Sequence, residues 1–324
     1  MRCSYRLLVL VLLTMFFIPF QASSSFAAGY PDHPIQLIIP NVAGAQMDIT
    51  GRMLAEEMEK FIGAKIITNN KPGAGTVLGT DFVVRSKKDG YTILYTSAAS
   101  FVYAPATNPE VVRYDPLKDV EPLGLYFFFP HTITVRADSP WKTFPQLIDY
   151  AKKNPGRLRV STIGVGTTPH FMLEMIQSLT GAQFTHVPFE GGESTITALL
   201  GNHVEVTCEA LAKVRPHIDA GKLKALLITN KMPTYPDIPV ITELGYKQEL
   251  PTSWFAMFAP AGIPDEARKV LVPAIEKSVK NTKRKAEQLG NVVEYKSPEE
   301  MRRMINDEGK RAREIAQKMG LRKP

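Results

Sequence analysis

Cysteine is nearly missing: Cys3 and Cys208 are the only two in 324 residues. That excludes a disulfide scaffold and a cysteine-based zinc centre. Histidine is scarce too, and the six (His33, His131, His170, His186, His203 and His217) form no i, i+4 pair and no His-Glu-x-x-His. No metal and no cofactor are expected. No Gly-x-Ser-x-Gly elbow occurs, and Gly191-Gly192-Glu193-Ser194-Thr195 has the wrong spacing. Nothing pairs a nucleophile with a base, so the sequence offers no positive argument for an enzyme. Charge of one sign is not concentrated either. The net +7 is spread along the chain, too diffuse for a nucleic-acid partner.

Beyond residue 20 no apolar run approaches the 18 residues of a membrane span. The one such run, Leu7 to Phe20, follows Arg2 and Arg6 and precedes Ser25-Phe26-Ala27, with small residues at −3 and −1. A positive end, a short greasy middle and a small-residue exit are the parts of a secretory signal peptide, here residues 1–27. The run would rise only about 21 Å as a helix, short of the roughly 30 Å hydrocarbon core. Cleavage after Ala27 removes Cys3 and leaves Cys208 as a single thiol, expected to be buried and inert.

What is present is alternation. Ile35 to Pro40 reads as a buried strand, and a helical stripe of Met47, Leu54, Met58, Phe61 and Ile62 follows it, ended by Gly63. Lys65 to Thr68 and Tyr91 to Thr96 read as strands, with a helix between them. The theme repeats with strands Thr132–Arg136, Arg159–Thr162, Phe184–Val187, Val204–Cys208 and Ala225–Thr229 among helices Thr143–Asn154, Pro169–Thr180 and Glu193–Leu200. Such alternation predicts α/β lobes with parallel, doubly wound sheets. Ser253 to Ala259 is apolar and is expected to run back into the first lobe. Two helices close the chain, Asp265–Leu289 with Pro273 as a kink, and one opening at Ser297-Pro298-Glu299-Glu300, a capping box with proline at the first turn. The expected division is 28–128 plus 253–324 for one lobe and 129–252 for the other, joined by two crossings around a cleft. The basic cluster Lys280, Lys283, Arg284 and Lys285 reads as a solvated helix face.

Three strand-to-helix loops carry the chemistry. Asn41-Val42-Ala43-Gly44-Ala45-Gln46-Met47-Asp48 has small residues that admit a ligand to the backbone, and a helix start offers free N–H groups to an anion. Asp48 is equally suited to capping that helix. Gly73-Ala74-Gly75-Thr76-Val77-Leu78-Gly79 imitates a dinucleotide fingerprint, but Pro72 interrupts the junction and no strand-end acid follows. Gly164-Val165-Gly166-Thr167-Thr168-Pro169-His170 is the counterpart in the second lobe. Thr96 and Ser97 end a strand of the first lobe, and their hydroxyls are equally suited to a ligand and to capping the turn that follows. Several helix starts around one cleft favour an anion without an arginine clamp.

At these loops the sequence resembles the Bug/TctC extracytoplasmic solute-binding receptors of tripartite tricarboxylate transporters. The resemblance runs through Asn70-Lys71-Pro72-Gly73-Ala74-Gly75, Asp89-Gly90-Tyr91-Thr92, Tyr114-Asp115-Pro116-Leu117-Lys118-Asp119, Thr185-His186-Val187-Pro188-Phe189, Pro236-Asp237-Ile238-Pro239-Val240 and Ser253-Trp254-Phe255. It implies a two-lobed, type II-like periplasmic binding fold that closes on a small organic carboxylate. It further implies a periplasmic monomer that hands its ligand to the membrane components of such a transporter. The matching positions are Asn41, Ala43, Gly44, Gln46 and Asp48, with Gly75, Thr96 and Ser97, and across the cleft Gly166, Thr167, Thr168 and His170. Three departures stand out. The first loop lacks the usual run of glycines. Glu190 replaces a family lysine, and a position often held by Asp is Cys208 or Glu209. They turn the expectation from a simple tricarboxylate toward a mono- or dicarboxylate with an apolar or aromatic body; Phe101, Tyr103 and Tyr126 to Phe129 are equally suited to walling the cleft and to packing the hinge strands. A sensor subunit informing a membrane kinase, and a periplasmic hydrolase, are the competing functions.

Overall fold

The computed structural model describes residues 29–321; the signal-peptide reading and Cys3 lie outside them. Ten strands form two five-stranded sheets. The first is built from β1 (Ile35–Ile39), β2 (Ile66–Asn70), β3 (Thr92–Ser97), β4 (Val120–Phe129) and β10 (Ser253–Pro260). The second holds β5 (His131–Arg136), β6 (Arg159–Thr162), β7 (Thr185–Pro188), β8 (Val206–Ala210) and β9 (Leu223–Ile228).

The two sheets share one plan. Their orders are β2-β1-β3-β10-β4 and β7-β6-β8-β5-β9. In each, three parallel strands are followed by a strand that has crossed from the other sheet. The sheets are therefore mixed, not wholly parallel as the alternation predicts. β10 runs antiparallel to β3 and β4, and β5 antiparallel to β8 and β9. The cause is geometric. A crossing strand enters where the parallel strands end, so it must run away from their carboxyl ends. Ser97, the last residue of β3, accordingly pairs with Phe255 near the start of β10, and Ala210, the last of β8, pairs with His131, the first of β5.

Helices α1 (Gln46–Ile62) and α2 (Val77–Val84) follow β1 and β2, and a π-type turn Ala99–Tyr103 runs into α3 (Ala104–Thr107). The second sheet carries α4 (Phe144–Lys153), α5 (Thr168–Thr180), α6 (Gly192–Leu200) and α7 (Leu211–Asp219). The chain ends with α8 (Asp265–Gln288) and α9 (Pro298–Lys318). The apolar stripe of α1 is real at Met47, Leu54, Met58 and Ile62, all buried. Phe61 departs from it: the ring is 39% exposed, with the Lys277 ammonium above its face. Ser297 and Glu300 form the anticipated capping box, each accepting the other's backbone N–H.

Of the two roles open to the aromatic residues near the hinge, cleft wall or packing, most take the second and fill the core. Phe101, Tyr126 and Phe127 are at most 1% exposed. Phe101 packs on Phe258 and Tyr114, and the Tyr126 hydroxyl donates to Thr282. Only Phe129 is partly open, its ring parallel to that of Phe255. Cys208 is fully buried against Pro169 and Met172, and burial pushes its thiol up, away from reactivity.

Candidate ligand-binding site

The first-lobe loop is organised by one carboxylate. Asp48, 4% exposed, accepts the Gly44 N–H at 2.9 Å on one oxygen, and Arg52 Nε at 2.8 Å and Asn70 Nδ2 at 2.9 Å on the other. Burial opposes its charge, but the Gly44 amide, Asn70 and Arg52 outweigh that and hold its pKa below the ordinary value. Asn70 also donates to the Asn41 carbonyl, and the Asn41 side chain accepts the Val42 N–H. Asp48 thus folds the loop back instead of capping α1. The N-cap residue of α1 is Ala45, with no side chain to cap it, and Ala43 and Gly44 beside it are exposed. The first N–H groups of this helix are left to bind something else. Gln46 Nε2 donates to Asn291, and a Cβ on the adjacent Gly290 would lie 3.3 Å from Ala212 at the start of α7.

A knot of hydroxyls fixes the neighbouring loop. The Ser100 hydroxyl lies within 3.0 Å of those of Thr76, Thr80 and Thr96. Thr96, fully buried, is therefore engaged inside the protein, while Gly75 beside Thr76 is exposed. Ser97 is 8% exposed, and its hydroxyl accepts the Ala99 N–H at 3.3 Å.

Across the cleft the loop before α5 is held by an imidazole. His170 Nδ1 accepts the Gly166 N–H at 3.0 Å, and its ring stacks on His186 at 4.0 Å. Burial, with His186 alongside, lowers its pKa to about 4, so the acceptor nitrogen is bare at neutral pH. Thr167 is the N-cap residue of α5, but its hydroxyl donates to the Gly164 carbonyl and leaves the helix start uncapped. A Cβ at Gly166 would lie 3.5 Å from Thr107 of the first lobe, so this loop faces the other half of the molecule.

Glu209, by contrast, is internal. At 2% exposure it accepts the Ala210 N–H at 2.7 Å and the Thr195 hydroxyl at 2.9 Å; burial raises its pKa against both bonds. It fills the space at the start of α6, where a Cβ on Gly192 would come within 2.9 Å of it. That helix start is occupied by the protein's own acid. Glu190 is exposed, with no hydrogen bond among the described residues.

Two residues at the crossings escaped the sequence reading. The Ser253 hydroxyl donates to Thr168 at 3.0 Å and lies 3.4 Å from His131 Nε2. His131 is 3% exposed, its Nδ1 has no hydrogen-bond partner among the described residues, and burial lowers its pKa to about 4. They tie both crossings to the start of α5. No local motif marks them, because the contact between His131 and Ser253 spans 122 positions of sequence.

Two lobes of identical strand order, joined by crossing strands and presenting uncapped helix starts from each side, define a two-lobed solute-binding protein. The sequence model of the tripartite tricarboxylate transporter family receptor (TctC) matches residues 50–321, and the chain belongs to that family. It is 33% identical over 306 residues to a UPF0065 protein of Bordetella pertussis, covering 93% of this chain and 94% of that one. A TctC solute-binding protein from Polaromonas superposes with a TM-score of 0.82 at 27% identity, over 89% of this chain and 99% of the other. MatC of Rhodopseudomonas palustris, solved with bound malate, gives 0.67 at 25% identity, over 88% and 99%.

Proposed function

We propose that the protein is a periplasmic solute-binding protein that captures a small carboxylate between its lobes and delivers it to the membrane components of a tripartite tricarboxylate transporter. One observation carries this reading: α1 and α5 begin without a side-chain cap, in loops of opposite lobes. A carboxylate there accepts free N–H groups from both and holds the lobes together. The contacts assigned to the ligand are the backbone around Ala43, Gly44, Gln46 and Gly75, the hydroxyls of Ser97 and Thr168, and the turn at Gly166–Thr167. Asp48, Asn41, Thr96 and His170 position those groups. Glu209 keeps the α6 start closed to anions, and exposed Glu190 disfavours a third carboxylate at that edge. With most aromatics in the core, Phe129 is left to meet an apolar body.

The malate bound by MatC supports a hydroxydicarboxylate as the first ligand to try. Isothermal titration of the mature protein with malate, adipate, benzoate and citrate tests the reading. One-to-one binding of a mono- or dicarboxylate, unchanged on recovery by mass spectrometry, is expected. Silence toward all four, or chemical conversion of the bound acid, would overturn it.

A further inference from the structure

A cavity of about 600 Å³ lies apart from these loops, lined by none of the residues assigned above to the carboxylate. Its walls come from both lobes: Phe171 and Met175 of α5 on one side, Tyr103 and α9 on the other, with the chain around Leu250 completing it. Its size is that of an ordinary small-molecule site.

Its charges are the informative part. Lys231 is paired with Glu243 at 3.0 Å and Lys296 with Glu294 at 2.6 Å. Arg303 reaches Glu299 at 3.4 Å, and Glu300 belongs to the capping box. Glu249, Glu308 and Arg311 remain, with no ion pair among the described residues. Glu308 accepts the Trp254 indole N–H at 2.9 Å. Burial pushes its pKa up to about 7, with the indole and Arg311 opposing and Glu249 adding to the rise. Glu308 and Arg311, half-buried on α9, and Glu249 at the exposed edge therefore line a partly apolar space as two acids and one guanidinium, with none of the three within ion-pair distance of another charge among the described residues.

We propose that this cavity is a second binding site, for a zwitterion with an apolar body such as an aromatic or aliphatic α-amino acid. The ammonium sits on Glu308 and Glu249, the carboxylate on Arg311, and the side chain against Phe171, Tyr103 and Met175. A simple acid satisfies only Arg311, and a simple amine only the glutamates. The zwitterion alone meets both signs.

The site is wired to the cleft through two short connections. Ser253 and Trp254 are neighbours on β10; the first bonds Thr168 at the start of α5, the second bonds Glu308. Helix α5 carries Thr168 at its start and Phe171 and Met175 one and two turns on. A ligand bridging α5 and α9 ties an element of one lobe to an element of the other, so it shifts the lobe equilibrium and with it carboxylate affinity. The site stands without the carboxylate reading; the coupling rests on that reading.

Titration of the mature protein with L-phenylalanine, alone and with saturating malate, is the test, read by heat and by Trp254 fluorescence. One-to-one binding is expected in both, with affinities differing by about fivefold or more. Phenethylamine and 3-phenylpropanoate, each lacking one charge, should bind at least about tenfold more weakly. Glu308→Gln, which keeps an acceptor for Trp254, and Arg311→Gln should each lose about tenfold for L-phenylalanine and leave malate binding in its absence unchanged. Thr242→Trp, at the exposed rim, should block entry even if a charge variant fails to fold. No response to L-phenylalanine or L-leucine at millimolar concentration would overturn the site. So would one-for-one competition with malate, or full affinity in both glutamine variants. Equal affinity with and without malate would overturn the coupling alone. If no carboxylate binds, the carboxylate reading fails while the L-phenylalanine titration still decides the cavity.

Discussion

The first loops of the two lobes occupy equivalent places in the same strand order, yet different chemistry holds them. In the first lobe an ionised carboxylate, Asp48, gathers the Gly44 amide, Asn70 and Arg52. In the second a neutral imidazole, His170, takes the Gly166 amide by one bond and leans on His186. Both devices leave a helix start without a side-chain cap. One keeps its loop by charge, the other by remaining uncharged, so the two loops should respond differently to mutation and acid.

Breaking the first device should have the largest effect. Asp48→Ala strands three donors around a buried position, and a loss of about 2–4 kcal/mol in urea unfolding is expected, with carboxylate binding abolished. Asp48→Asn retains an acceptor oxygen and the shape, and should recover part of the stability. Equal stability of wild type and Asp48→Ala would show that the loop is held elsewhere.

Acid should separate the two loops. A histidine whose pKa is lowered on folding contributes stability that is complete above its unfolded value, near 6.5, and is lost as pH falls through its folded value, about 4. Protonated Nδ1 cannot accept the Gly166 N–H. Asp48, with its pKa depressed, keeps its contribution until the pH is below the ordinary 3.8. Between pH 6.5 and 4 the second-lobe loop therefore weakens while the first stays intact. In His170→Gln, whose amide oxygen can take the same N–H, the fall in unfolding free energy over this window should shrink by about 1–3 kcal/mol. His131, also near 4, supplies a fall that remains in the variant. Identical pH profiles for wild type and variant would refute the assignment.

Much of the scaffold was legible because it rests on local signals. The α1 stripe, the capping box at Ser297 and the return of the chain at Ser253 are all written within a few residues. The direction of the crossing strands was not. Phe129-Pro130-His131 passes between lobes through a single proline, and no pattern of apolar residues records which way a strand runs beside its neighbours. Helix α7 was missed because Pro216 sits within it. At the site, the loops could be found from their glycines and helix starts, but not which polar atoms remain free. Asp48, Thr96 and Glu209 look like ligand contacts in sequence and turn inward in the structure. Their partners, Asn70, Ser100 and Thr195, lie 22, 4 and 14 positions away, and only folding pairs them.

The smallest effect sharpens the comparison most. Gly44 and Gly166 have nearly the same left-handed backbone, φ of 79° and 75°, so an alanine at either should cost about 1 kcal/mol. Their surroundings differ. A Cβ at Gly44 meets nothing within 4 Å, whereas one at Gly166 lies 3.5 Å from Thr107 in the opposite lobe. The backbone penalty is common to both, and the contact belongs to one. Gly44→Ala and Gly166→Ala should therefore unfold at similar urea concentrations, while only Gly166→Ala changes the ligand-dependent compaction measured by small-angle scattering. A change confined to Gly44→Ala would mean that the lobes meet at the first loop instead of the second.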